Sequence, residues 1–140
     1  MIKFINILKE LGEISVTPYE YDYDKSKHKA FFTTEDGTKY VVYFDISKGE
    51  MKVDFGVLYE EDDEDDDVDF EIKTNKGNIY RIMSTVISII RKASSEFKPN
   101  QIKISANPQK IPLYKMYVLK NLDKYILTKE DIYNLILQRK

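Results

Sequence analysis

Residues 78–106, NIYRIMSTVISIIRKASSEFKPNQIKISA, determine the fold class, because their hydrophobic period changes from helical to strand-like. An apolar stripe at helical spacing comprises Ile79, Ile82, Met83, Val86, Ile90, Ala93 and Phe97. Ile87 and Ile89 widen this stripe, so we expect the helix to lie on a sheet. The tripeptide Lys-Pro-Asn at 98–100 ends the helix, and the alternation at 102–106 predicts a short strand.

The segment that precedes this helix has the two-residue period of strands. Residues 30–34 and 39–46 flank the sequence Glu-Asp-Gly at 35–37, which predicts a β-hairpin. The sequence Ser-Lys-Gly at 47–49 predicts a second turn. One face of the strand after that turn carries Met51, Val53, Phe55 and Val57.

An acidic run interrupts the alternation, which resumes at Val68, Phe70 and Ile72. We therefore predict an antiparallel meander whose last two strands are joined by a flexible acidic loop at 59–67. From residue 68 to residue 106 the order is strand, helix, strand. This order predicts one right-handed crossover between two parallel strands.

Helices are predicted near both termini. Residues 2–11 have helical spacing, and a further helix is predicted over 112–122, with Pro112 in its first turn. A strand is predicted at 125–127, and a last helix from Thr128 would carry Ile132, Leu135 and Ile136. The sequence thus predicts a single α+β domain over residues 1–140.

The composition excludes several kinds of site. The chain has 140 residues, no Cys and one His, so disulfides, thiolate nucleophiles, Cys-bound zinc and multi-His metal sites are impossible. We predict no metal site and no cofactor. No stretch approaches 18 apolar residues, and the N-terminal apolar run contains charges. We therefore expect no membrane segment and no signal peptide, and a location in a host cytoplasm or in a virion.

Charge is distributed unevenly along the chain, whose formal net charge is -2. One run of consecutive carboxylates comprises Glu60, Glu61, Asp62, Asp63, Glu64, Asp65, Asp66 and Asp67. The other 132 residues hold 22 bases and 16 acids, a net charge of +6. Only three of the bases are Arg, and this scarcity argues against sequence-specific DNA binding, which relies on Arg.

The acidic run does not match a calcium-binding loop. An EF-hand loop needs Gly at position six and Glu at position twelve, but a loop starting at Asp62 has Asp67 and Lys73 there. Adjacent like charges repel and stay hydrated, so the run is a solvated connection, an arm that docks on a basic surface, or a small mimic of nucleic acid. That surface would belong to a protein partner or to a neighbouring copy of the chain.

A second pattern follows the helix. Gly77 and Asn107 are thirty residues apart, and Leu113-Tyr114 lies six and seven residues beyond Asn107. In this spacing residues 70–122 resemble the back half of the GNAT acetyltransferase superfamily. The resemblance implies that Gly77, Asn78 and Asn107 contact acetyl-CoA and that Tyr114 acts as general acid toward the departing thiolate.

The sequence departs from this family at the phosphate-binding loop. Thr74 stands where the family has Gln or Arg, and Ile79 stands where it has a small residue. A small residue lets the backbone N–H groups of the helix N-terminus approach the phosphates, and a β-branched side chain hinders that approach. We therefore predict a truncated GNAT-like fold whose cofactor loop is degenerate.

The chain also resembles, in overall pattern, small uncharacterised proteins of tailed bacteriophages. Together these observations favour a non-enzymatic binding or assembly protein, phage-encoded and a candidate virion component. One alternative is a divergent acetyl-CoA-dependent N-acetyltransferase that uses Tyr114. A second alternative is an acidic anti-defence or regulatory inhibitor that acts through residues 60–67.

Overall fold

A computed structural model of the protein describes residues 17–59, 67–69 and 79–140. The strands are β1 (Tyr21–Asp24), β2 (Lys29–Thr33), β3 (Lys39–Ser47), β4 (Glu50–Tyr59), β5 (Asp67–Asp69), β6 (Gln101–Ser105), β7 (Tyr125–Glu130) and β8 (Asn134–Arg139). The helices are α1 (Ile79–Phe97) and α2 (Ile111–Asn121). The helix predicted at residues 2–11 lies outside the described residues.

The strands form one mixed sheet, so the predicted α+β class is confirmed. The strand order is β1-β2-β3-β4-β6-β8-β7, and β5 pairs with β4 beside this path. Both predicted hairpins are present, because β2 pairs with β3 and β3 pairs with β4 in antiparallel register. The only parallel pairing among the described strands joins β4 to β6.

The prediction that the strands before and after α1 are parallel to each other is wrong, because both of them pair with β4. Strand β5 runs antiparallel to the C-terminal end of β4, with Tyr59 opposite Asp67. Strand β6 runs parallel to the N-terminal end of β4, with Glu50 opposite Gln101. Because β3 occupies the other edge of β4 along its length, β5 and β6 share the remaining edge. Because β5 is antiparallel and β6 is parallel to β4, β5 and β6 run in opposite directions, and the predicted crossover between two parallel strands does not form between them.

The predicted C-terminal helix is also wrong, because residues 134–139 form strand β8. Leu135 and Leu137 are buried, whereas Ile136 between them points to the other face, which is the period of a strand. The Asp131 Oδ1 atom accepts hydrogen bonds from the N–H groups of Tyr133 and Asn134 at 2.8 and 2.9 Å. These bonds form the turn that joins β7 to β8.

The core lies between one face of the sheet and the two helices. On β4, Met51, Val53 and Phe55 are buried and alternate with the exposed Lys52 and Asp54. The predicted stripe of α1 packs on this face, and its buried apolar residues are Ile82, Met83, Val86, Ile87, Ile89, Ile90 and Ala93. Helix α2 contacts α1 and begins with Pro112 in its first turn, as predicted.

Candidate anion-binding cleft

Tyr114 lies in the core rather than at a surface site. Its side chain is 1% exposed, in the middle of α2. Burial, with a smaller contribution from the Asp54 carboxylate, raises the pKa of the Tyr114 phenol well above its usual range. The hydroxyl therefore stays protonated, and the side chain does not face solvent.

Asn107 forms a turn between β6 and α2. The N–H of Lys110 donates to the Asn107 carbonyl at 3.0 Å and lies 3.2 Å from its Oδ1 atom, which also accepts. The side chain of Asn107 thus helps to start α2, a common use of Asn. Gly77 and Asn78, the other residues of the implied cofactor site, lie outside the described residues.

Of the acidic run, residues 60–66 lie outside the described residues, and Asp67 is described as the first residue of β5. Tyr59 and Asp67 are paired strand residues. The connection between β4 and β5 therefore comprises residues 60–66.

A cleft of about 420 Å³ opens where α1 and α2 end, where β7 begins and where β8 ends. We call it the basic cleft. Its lining residues are Arg91, Ser94, Ser95, Lys98, Asn121, Leu122, Asp123, Lys124, Tyr125 and Arg139.

Backbone hydrogen bonds fix the walls of the basic cleft. Lys98 has a φ of +46°, and its N–H donates to the Ser94 carbonyl at 2.9 Å, which ends α1. The N–H of Arg139 donates to the Asn100 carbonyl at 2.9 Å. Arg139 is also paired with Tyr125 in the β7–β8 ladder. The cations are therefore carried on segments that are tied to one another.

Positive charge dominates the basic cleft. Arg91, Lys98, Lys124 and Arg139 face a single carboxylate, Asp123. Among the residues that the structure describes, none of these four cations forms an ion pair. The ion pairs of Arg81 with Glu35 and of Lys115 with Glu130 lie elsewhere.

Part of this positive charge compensates the two helices that end here. Each helix C-terminus carries roughly half a negative charge, and cations near it are stabilising. Two such termini together with Asp123 offset about two of the four cations. A surplus of roughly two positive charges remains for an anion, and the Arg forks suit carboxylate or phosphate oxygens.

A neighbouring cleft differs in its charge. It has a volume of about 540 Å³ and lies beside the β3–β4 turn. Its acids, Asp45 and Glu50, balance its bases, Lys48 and Lys52. This second cleft therefore offers no net charge to a ligand.

A buried hydrogen bond holds Tyr125, one of the residues that line the basic cleft, and its contribution to stability can be tested. The Tyr125 hydroxyl donates to the buried carbonyl of Pro99 at 2.5 Å. We expect Tyr125→Phe to lower the free energy of unfolding by about 1–3 kcal/mol, because the carbonyl loses its donor. Tyr133→Phe, at an exposed tyrosine, is the control and is expected to change it by less than about 0.5 kcal/mol in urea denaturation. Equal effects would contradict the buried hydrogen bond.

Sequence reasoning did not find the basic cleft. Arg91 and Arg139 are far apart in the sequence, and no local motif contains both. The sequence offers one signal for this cleft. Arg is rare in the chain, and two of the three Arg residues line the cleft. The third, Arg81, is engaged by Glu35 at 2.8 Å and by the ring of Tyr19, 4.0 Å from its centroid.

Comparisons with protein family models, with curated proteins and with solved structures found no match for this chain. Neither described helix is long and apolar enough to cross a membrane. Within residues 17–59, 67–69 and 79–140, no group of three His, Asp or Glu side chains is placed to hold a metal ion.

Proposed function

We propose that this chain is a non-enzymatic binding or assembly protein that recognises an acidic protein segment through its basic cleft. The observation that carries the proposal is the set of four cations facing one carboxylate in a cleft of about 420 Å³. Arg side chains suit this recognition, because the guanidinium fork matches the two oxygens of a carboxylate.

The chemistry of the cleft favours an acidic peptide over nucleic acid. Proteins that bind single strands present exposed aromatic rings on which bases stack. The one aromatic side chain that lines the cleft is Tyr125. It is buried, and its hydroxyl donates a hydrogen bond to the Pro99 carbonyl. Binding of an acidic peptide requires cationic side chains but no exposed aromatic ring.

The framework that we propose is a degenerate relative of the GNAT acetyltransferases. Support for a non-catalytic role comes from the two implied site residues that the structure describes. Tyr114 is sealed in the core, and Asn107 is used in the turn before α2. A phage origin, with the protein in the host cytoplasm or in the virion, belongs to the same proposal.

Binding of a fluorescein-labelled octaglutamate peptide, followed by fluorescence anisotropy, tests the proposal. We expect the double variant Arg91→Gln/Arg139→Gln to bind at least about tenfold more weakly, because a charge-assisted hydrogen bond contributes about 1.5–3 kcal/mol. Binding by the unaltered chain is expected to weaken as salt is raised from about 50 to about 500 mM.

The matched control is Lys48→Gln/Lys52→Gln, which removes the same number of positive charges from the second cleft. We expect it to bind the peptide nearly as the unaltered chain does. Equal weakening in the two double variants would mean that the peptide responds only to net charge, and the proposal would fail.

A calorimetric titration with acetyl-CoA separates the proposal from the acetyltransferase alternative. We expect no binding at micromolar concentration. Micromolar binding together with turnover that is lost in Tyr114→Phe would establish an enzyme instead.

A further inference from the structure

The strand end that carries the acidic run and the basic cleft lie at opposite ends of β4. Glu50, the first residue of β4, is paired with Gln101, next to Asn100, whose carbonyl accepts the N–H of Arg139. Tyr59, the last residue of β4, is paired with Asp67 and leads into residues 60–66. With a rise of about 3.3 Å per residue, these two ends are about 30 Å apart.

The acidic run cannot reach the basic cleft of its own chain. Residues 60–66 leave Tyr59 and return to the opposite residue Asp67. Consecutive Cα atoms are about 3.8 Å apart, so a connection of this length extends at most about 15 Å from the strand ends. It also leaves β4 at the end that points away from the cleft. A contact between the two must therefore join different molecules.

We propose that the acidic run of one copy occupies the basic cleft of a second copy, so that the chain self-associates in trans. This inference rests on the proposed function and names the acidic segment that the cleft binds. The charges are complementary, because consecutive carboxylates meet a cleft with four cations and one acid. The contact is built from two different surfaces of the chain. It therefore closes as a two-fold dimer with two such contacts or as a ring, or it propagates as an open filament.

Complementation between two full-length variants tests this contact. The first carries Asp62, Asp63, Asp65 and Asp66 changed to Asn, and it keeps its cleft. The second carries Arg91→Gln and Arg139→Gln, and it keeps its acidic run. In sedimentation velocity at about 50 mM salt we expect each variant alone to be a monomer and an equimolar mixture to form a 1:1 complex. We expect the unaltered chain to associate at about 50 mM and to dissociate at about 500 mM salt.

Lys48→Gln/Lys52→Gln is again the control and is expected to associate as the unaltered chain does. Self-association by the first variant alone, or a mixture that stays monomeric, would overturn the inference. An unaltered chain that binds octaglutamate yet is monomeric at both salt concentrations would overturn it too, while leaving the proposed function in place. Absence of both octaglutamate binding and self-association would remove both proposals.

Discussion

Truncation of Ile90 to alanine lowers the free energy of unfolding by about 2–5 kcal/mol, the usual cost of removing a fully buried aliphatic side chain. Ile90 is 0% exposed and lies on the face of α1 that packs on the sheet. The sheet strands beneath it are fixed by their ladders, so the cavity cannot collapse fully. Urea denaturation followed by circular dichroism measures the loss.

Ile132→Ala is the matched control, since it removes the same atoms from a side chain that is 66% exposed. We expect it to change the free energy of unfolding by less than about 0.5 kcal/mol. Similar losses at the two positions would mean that α1 does not present Ile90 to the core.

Replacement of Leu137 by Asp has the larger expected effect. Leu137 is 1% exposed, and its strand β8 lies between β6 and β7, with Ile102 and Leu127 as its paired neighbours. A carboxylate placed at this buried position loses its hydration, so we expect a loss of more than about 4 kcal/mol. Thermal and urea denaturation are expected to show a largely unfolded protein at ordinary temperature.

The adjacent change Gln138→Asp provides the control. Gln138 points to the other face of β8 and is exposed, so we expect its replacement to cost less than about 1 kcal/mol. These two variants also distinguish the strand β8 from the helix that the sequence predicts for this segment. In a helix whose apolar face is Ile132, Leu135 and Ile136, position 137 lies outside that face, and Leu137→Asp would be mild.

The parts of the fold that the sequence predicts correctly are those specified by local patterns. The stripe of α1 spans five turns, and few other structures bury so many apolar residues at that spacing. The β2–β3 hairpin is marked by Glu-Asp-Gly between two alternating runs, and Gly37 has the positive φ of 85° that such a turn requires.

The C-terminal segment was mispredicted because its local pattern is ambiguous. Ile132, Leu135 and Ile136 fit a helix, whereas Leu135 and Leu137 fit a strand. The choice is made by β6, which offers a free edge to residues 134–139 and lies distant in the sequence. The parallel partner of β6 was missed for the same reason, since the paired Glu50 and Gln101 are 51 residues apart.

The site was less predictable than the fold. The spacing from Gly77 to Asn107 and Tyr114 suggests a cofactor site, but spacing does not show that the Tyr114 side chain points from α2 into the core. The basic cleft combines the ends of four elements, α1, α2, β7 and β8, with the connections that follow α1 and α2. Only the three-dimensional arrangement brings Arg91 and Arg139 to one surface.

The position of β8 has a consequence for biosynthesis. This strand is made after β6 and β7 but lies between them in the sheet, with a ladder on each side. Until residues 134–139 leave the ribosome, β6 presents an unpaired edge, and β7 has no place to dock. Such an edge is prone to pair with other nascent chains. The sheet is therefore joined by a strand that is made after both of its neighbours, and nascent chains that stall before residue 134 expose the edge of β6.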